Sequence, residues 1–470
     1  MHLNTKRTEQ SLWLHLGAGA FHRAHQCWYL NKLHQKGDSR WSISLANIRN
    51  SSTQKMLEQL ARQQGRYTLE IISPDGHIDY QTITSVQHVL PYDTQLTALV
   101  NEGSRPETGI ISFTVTEGGY FLNDQGHLDL NAAPIQSDLA AEQDTVTLYG
   151  ALYKILTARR EKNSGPVTLL CCDNLRSNGQ SFRRGLMEFV TARQDQPLLE
   201  WLEHNVSTPD SMVDRITPAT GDELIERVRQ QNITDDLVPV CCESFSQWVI
   251  HDDFIAGRPA LEEAGVEFVE DVLPYEEAKI RVLNASHSGI AWAGGLLNKE
   301  FIDQSLLPEV RQWITAYVEQ DVIPALEDSP LDLKQYCQTV LQRFSNPRVR
   351  DTCQRVSSDS IAKLHEFLVP TLKARYQQQQ TPEATIRLIA LYYLFMQRYA
   401  NNSLPFSYQD RAGESVDFAS IYRQKDPLAA FAAESKLFGS LAGNPVFTAD
   451  LRQAVVSARE GIAALENDKP

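Results

Sequence analysis

Near residue 275 the hydrophobic pattern of this chain changes period, and that change limits the fold more than any other feature. Before it, apolar residues come in short runs at 11–16, 41–46, 109–115, 166–172 and 237–242, with a last strand-like run at 266–272. Short apolar runs closed by glycine or polar amides suit strands of a parallel sheet covered on both faces by helices. The segment 66–86 alternates instead about Ser73-Pro74-Asp75-Gly76 and reads as a hairpin inserted in the α/β unit. After residue 275 apolar residues recur at three- and four-residue steps over 308–326, 360–376 and 382–399, which predicts helices. A chain of 470 residues is also too long for one ordinary core. Two domains are expected, an α/β one over 1–275 and a mainly α-helical one over 276–470.

The first run, 11–16, leads into Gly17-Ala18-Gly19-Ala20-Phe21-His22-Arg23-Ala24-His25 and an amphipathic stretch through Leu33. Strand, glycine turn, then helix is the context in which Gly-x-Gly meets a dinucleotide. Gly17 allows the tight turn, Gly19 lets the backbone approach the pyrophosphate, and the helix start favours its charge. His22 fills the slot of the usual third glycine, so an ordinary βα turn explains the motif as well. The second run ends in Asn47-Ile48-Arg49-Asn50 where an NAD enzyme often carries an acid. Asn47 can still bond the ribose, which leaves NAD against NADP open. The run 109–115 passes into Thr116-Glu117-Gly118-Gly119, a candidate contact for the nicotinamide end or a plain turn. These features make the N-terminal domain Rossmann-like.

Composition removes several classes of function. Charged residues are 22% and hydrophobic ones 42% of the chain, values for a folded protein, and no run reaches the roughly 18 apolar residues of a membrane span. A net charge of −15 without a basic block argues against nucleic acid and anionic membranes as partners. Seven cysteines, an odd number without Cys-x-x-Cys spacing, fit a reducing compartment and no structural zinc. A cytoplasmic, monomeric, metal-free protein is expected.

The stretch from Glu276 through Lys279 and Asn284 to His287 puts a lysine, an amide and an imidazole at the start of a buried helix. On an α-helix Asn284 and His287 lie about 140° and about 80° round from Lys279, so the three can face one cavity. A desolvated lysine can take a proton from an alcohol while an amide and an imidazole hold its oxygen. A helix start with Lys279 reaching to water and His287 satisfied in the core is the competing reading. The change of composition near residue 275 coincides with this stretch, and domain boundaries are preferred places for ligands. Other polar groups stand at Asp173-Asn174 and Asn178 after the run 166–172, at Asp214 in a loop segment 212–218, and in a dense segment from Arg343 through Asp351 to Arg355, with Lys363 beyond. Asp173 alone could be a helix N-cap, and the dense segment a solvated charged face.

Six motifs in order carry a resemblance that runs from about residue 12 to the end: Gly-x-Gly-x-Phe-x-Arg-x-His at 17–25, Thr-Val-Thr-Glu-Gly-Gly-Tyr at 114–120, Cys-Asp-Asn-x-x-x-Asn-Gly at 172–179, Met-Val-Asp-Arg-Ile-Thr-Pro at 212–218, Gln-Trp-Val-Ile at 247–250 and Lys-x-x-x-x-Asn-x-x-His at 279–287. Together they resemble the polyol-specific long-chain dehydrogenases, a family that includes mannitol dehydrogenases and hexuronate reductases. The resemblance implies a zinc-independent enzyme that uses NAD to oxidise a secondary alcohol of a polyol to a ketose. D-arabinitol going to D-xylulose is the reaction it favours, with D-mannitol weaker. It makes Lys279 the general base, Asn284 and His287 the groups on the reacting oxygen, and Glu276 the carboxylate that moves the proton between Lys279 and water. Asn174, Asp214, Arg355 and Lys363 would meet the substrate's other hydroxyls. Gly17, Gly19, Phe21, Arg23, Asn47, Glu117 and Gly118 would hold the cofactor. Oxidation should then speed up with rising pH. A hexuronate reductase with the same machinery and a non-catalytic NAD-sensing module remain as alternatives.

Overall fold

The computed structural model describes residues 10–467 apart from 50–51, 124, 141–143, 219, 232–234 and 328. The chain packs as two compact units, one ending at Ser73 and resuming over His77–Leu273, the other comprising Pro74–Gly76 and the chain from Pro274 onward.

The first unit is built on β1 (Ser11–Leu16), β2 (Trp41–Ala46), β3 (Val86–Val89), β4 (Thr108–Phe113), β5 (Val167–Cys171) and β6 (Val206–Ser207). They form one sheet in the order β3-β2-β1-β4-β5-β6 with every pairing parallel. That is the doubly wound dinucleotide-binding order, with its switch point between β1 and β4. Alternation along the strands feeds two separate cores. Trp13, Ile43, Leu45, Ile110 and Leu170 enter one, while Leu14, Leu16, Ala46, Ile111, Phe113 and Leu169 enter the other. A sheet buried on both faces explains why its strands read as continuous apolar runs.

The inserted hairpin pairs Tyr67–Ile72 with Ile78–Ile83, and Val240–Glu243 adds to it in parallel. A further small sheet joins Ser211–Asp214, Gln247–His251 and Glu267–Val269. Two expectations need correction here. The segment through Asp214 is a strand antiparallel to Gln247–His251, not a loop. The stretch after the Gly-x-Gly turn is two helices, Ala20–Ala24 and Gln26–Gln35, because the backbone at His25 (φ −116, ψ −81) leaves the helical region.

The second unit is helical among its described residues, apart from one isolated bridge between Phe301 and Thr352. At its centre lies Ala285–Leu296, buried almost all round and packed against Cys353–Ser357 and Glu383–Ala400. Trp292 ties it to the helix carrying Lys363 by donating to Ser360 Oγ at 2.8 Å. The helices expected over 308–326 and 360–376 are each interrupted by a π turn, at Tyr317–Val322 and Leu364–Leu368. The stretch expected as the start of one α-helix holds a third, Lys279–Asn284, between Leu273–Ala278 and Ala285–Leu296.

Candidate active site

In the first unit the candidate cofactor residues collect at the carboxyl ends of β1, β2 and β4. Gly17 closes β1 with φ +89, and a Cβ built on it would lie 2.2 Å from the carbonyl oxygen of Thr114, so the fold itself demands glycine there. Gly19 differs. Its φ of −70 is ordinary, and a Cβ on it would meet nothing closer than the Gly17 oxygen at 3.9 Å. The chain does not require glycine at 19, whereas close approach of a pyrophosphate would. The loop after β4 lies beside this turn: the Thr114 amide donates to Leu16 O at 3.0 Å and its hydroxyl to Gly17 O at 2.8 Å.

Behind the turn sits a polar core that the sequence did not announce. His15 and His22 stack at 3.3 Å between centroids, 5° apart. Because the Thr114 hydroxyl hydrogen goes to Gly17, His15 must donate from Nε2 to Thr114 Oγ1 (3.1 Å) and accept at Nδ1 from Ser112 (2.7 Å). His15 is therefore neutral in a fixed tautomer, and burial pushes its pKa down to about 3. Burial, with His15 and His25 nearby, holds His22 well below its usual value as well.

Of the other candidates in this unit, Phe21 packs at 5.0 Å on His25, and Asn47, nearly buried, accepts from the Ile48 amide. Glu117 and Gly118 are exposed at the tip of the loop after β4, and Asn174 is exposed beyond β5. Asp214 is buried at the end of its strand. Arg23 is turned inward: its guanidinium donates to Val238 O at 2.6 Å and lies over the Tyr67 ring at 5.4 Å. Asp173 caps no helix, since Ser177 precedes the next one; its carboxylate reaches the loop after β4 instead. Asn178 is likewise internal, bonding Cys171 O and both the amide and carbonyl of Ser211.

In the second unit Lys279 and Asn284 are the first and last residues of a π turn. Its i→i+5 pairing brings them closer to one face than an α-helix would. The Tyr317 hydroxyl donates to Arg281 O at 2.9 Å, satisfying a carbonyl within the turn, and Arg281 pairs with Glu277 at 2.6 Å. Lys279 and Glu276 are buried at 7% and 5% exposure, where charged side chains are rare unless they have partners or a task. Asn284 and His287 are half-buried. The His287 ring stacks on Phe344 at 4.3 Å with its Nε2 3.8 Å from Asp351 Oδ2. Burial brings His287 down to about 3; Asp351 opposes this, while Arg355, Lys363 and Arg343 reinforce it. His287 is thus a neutral imidazole ringed by charge. Arg355 is exposed and forks onto Asp351, and Lys363 donates to Val356 O at 2.8 Å.

Glu276, Lys279, Asn284, His287, Arg355 and Lys363 thus belong to one unit, and Gly17, Gly19, Phe21, Arg23, Asn47, Glu117, Gly118, Asn174 and Asp214 to the other. Among the described residues no group of three His, Cys, Asp or Glu side chains could hold a metal ion, and no helix is long and apolar enough to cross a membrane. All seven cysteines are buried free thiols.

The sequence model of the Mannitol dehydrogenase Rossmann domain matches residues 12–263, and that of the Mannitol dehydrogenase C-terminal domain matches residues 271–458. The chain belongs to the mannitol dehydrogenase family. Within it, the chain is 46% identical to D-arabinitol 4-dehydrogenase of Klebsiella pneumoniae, over 95% of this chain and 98% of that protein. Identity to D-arabinitol 4-dehydrogenase of Ralstonia nicotianae is also 46%, over 96% of each. Among solved structures, Pseudomonas fluorescens mannitol 2-dehydrogenase, in a ternary complex with NAD and D-mannitol, superposes with a TM-score of 0.82 at 33% identity, covering 98% of this chain and 95% of that one. The protein is a polyol dehydrogenase of this family. In this mannitol dehydrogenase relative, the sequence does not announce Asp351 and Phe344 as the neighbours of His287. The four-residue step from Asp351 to Arg355, the spacing of a helical ion pair, was the one signal that pointed to Asp351.

Proposed function

We propose that this enzyme oxidises D-arabinitol to D-xylulose with NAD and without zinc. The observation that carries the substrate is the 46% identity, over nearly the whole chain, to D-arabinitol 4-dehydrogenases, against 33% to a mannitol 2-dehydrogenase. For the cofactor, support comes from the strand order, the Gly17 turn and the open space at Gly19. Gly17, Gly19, Phe21, Asn47, Glu117 and Gly118 would hold NAD, with Arg23 bracing the turn from within. NAD supplies the two-electron acceptor. Lys279, as an amine, accepts the hydroxyl proton and passes it toward Glu276 and water. Asn284 and neutral His287 hydrogen-bond the oxygen as it gains charge. Asn174, Asp214, Arg355 and Lys363 select the stereochemistry of the remaining hydroxyls, since an unpaired buried hydroxyl costs about 1–3 kcal/mol.

The test is catalytic efficiency on D-arabinitol, D-mannitol, D-sorbitol, xylitol and the hexuronates, followed at 340 nm with NAD and NADP in parallel, before and after prolonged chelation. D-arabinitol with NAD should lead and chelation should change nothing. Mannitol ahead of arabinitol, turnover of hexuronates alone, equal efficiency with NADP, or a loss restored by zinc would each overturn its part of the reading.

A further inference from the structure

Roles for Glu117 and Gly118 leave open what shapes the loop that carries them. Thr116, just before them, has φ 65 and ψ 162. That region of backbone space is in practice open to glycine alone, and a threonine there persists only where its surroundings over-determine it. The Thr116 side chain is exposed, so the restraint comes through the backbone. From β5, the half-buried Asp173 carboxylate accepts the amide hydrogens of Val115 at 2.8 Å and Thr116 at 3.1 Å, and the Tyr120 hydroxyl at 2.6 Å. From β1, Leu16 and Gly17 take the amide and hydroxyl hydrogens of Thr114. Residues 114–116 are thus tied on both sides before the exposed Glu117 and Gly118 begin the tight turn Glu117–Tyr120. Desolvation pushes the Asp173 pKa up, so the fold keeps a carboxylate at this point against an electrostatic cost. Strain of this kind gathers at ligand clamps.

We infer that Asp173 is a positioning residue for the cofactor, which holds Thr116 in a glycine-type conformation and so fixes the backbone of Glu117 and Gly118 for the dinucleotide. The inference rests on reading this end of the sheet as the NAD site.

Thr116→Gly and Asp173→Asn, made in the full chain, separate this role from a purely structural one. Thr116→Gly should raise Tm, on the order of 2–8 °C, because strain is relieved. Because glycine takes this conformation without strain and Asp173 still bonds its amide, NADH binding by fluorescence titration should stay within about twofold of wild type. Asp173→Asn, which loosens the hold on the strained Thr116, should weaken NADH binding and raise KM for NAD, each on the order of 5- to 10-fold, with kcat at saturating NAD changed less, and adding Thr116→Gly should restore part of that loss. An Asp173→Asn protein that folds and binds NADH like the wild type sinks the inference alone. A wild-type enzyme that binds no NADH sinks the site reading and the inference with it.

Discussion

The two units place their polar candidate residues by opposite routes. In the first, regular structure does the placing: a parallel sheet with both faces buried leaves the loops after β1 and β4 side by side at the switch point. In the second, the candidate residues sit where regular structure is interrupted. Lys279 and Asn284 span a π turn, Lys363 immediately precedes another, and the third supplies the Tyr317 hydroxyl that satisfies Arg281 O. A ladder end needs only correct strand order, whereas a π turn needs tertiary partners for the groups that its shifted pairing changes.

If chemistry resides in the second unit and cofactor binding in the first, Lys279→Ala should lower kcat about 10²- to 10⁴-fold while NADH binding by fluorescence stays near wild type. Turnover within twofold of wild type would assign the base elsewhere. Within the first unit, the two glycines should separate. Gly17→Ala should give little folded protein or a Tm lower by about 5 °C or more, from its positive φ and the clash with Thr114 O. Gly19→Ala should keep Tm within about 2 °C yet raise KM for NAD about tenfold. Equal effects on fold and binding at both positions would remove the distinction between them.

The π turn can be probed through Tyr317→Phe, which removes the hydroxyl bonded to Arg281 O. It should cost about 1–3 kcal/mol in urea unfolding and lower kcat with KM for NAD unchanged. A loss of stability without loss of kcat would show that the turn does not shape the site. The last comparison concerns pH. His15, His22 and His287 all have pKa values depressed by burial below the 6.5 of an unfolded histidine. The unfolded chain therefore binds protons first, and stability present above pH 6.5 is lost as pH falls, down to about 3 for His15 and His287, at about 1.4 kcal/mol per pH unit per histidine. Two of these histidines are in the first unit, so calorimetry from pH 7.5 to 4.5 should show that unit destabilised faster. A His287→Asn variant should flatten the slope of the second unit alone.

What the sequence by itself determined was the division into sheet and helix, the β1, β2, β4 and β5 strands, the hairpin and the Gly-x-Gly turn. These depend on local periodicity and on turn chemistry written in adjacent residues. The short strands β3 and β6 and the strand through Asp214 escaped, because strands so short carry almost no period of their own. The α-helical steps over 308–326 and 360–376 gave no warning of π turns, since one shifted hydrogen bond barely disturbs an apolar pattern. The candidate catalytic side chains were readable by type and spacing. Their surroundings were not: Phe344 and Asp351 beside His287, and Asp173 holding Thr116, lie 57 to 64 residues away from them in sequence. Only tertiary structure decides such partners, because burial and strained backbone exist only once distant segments have packed.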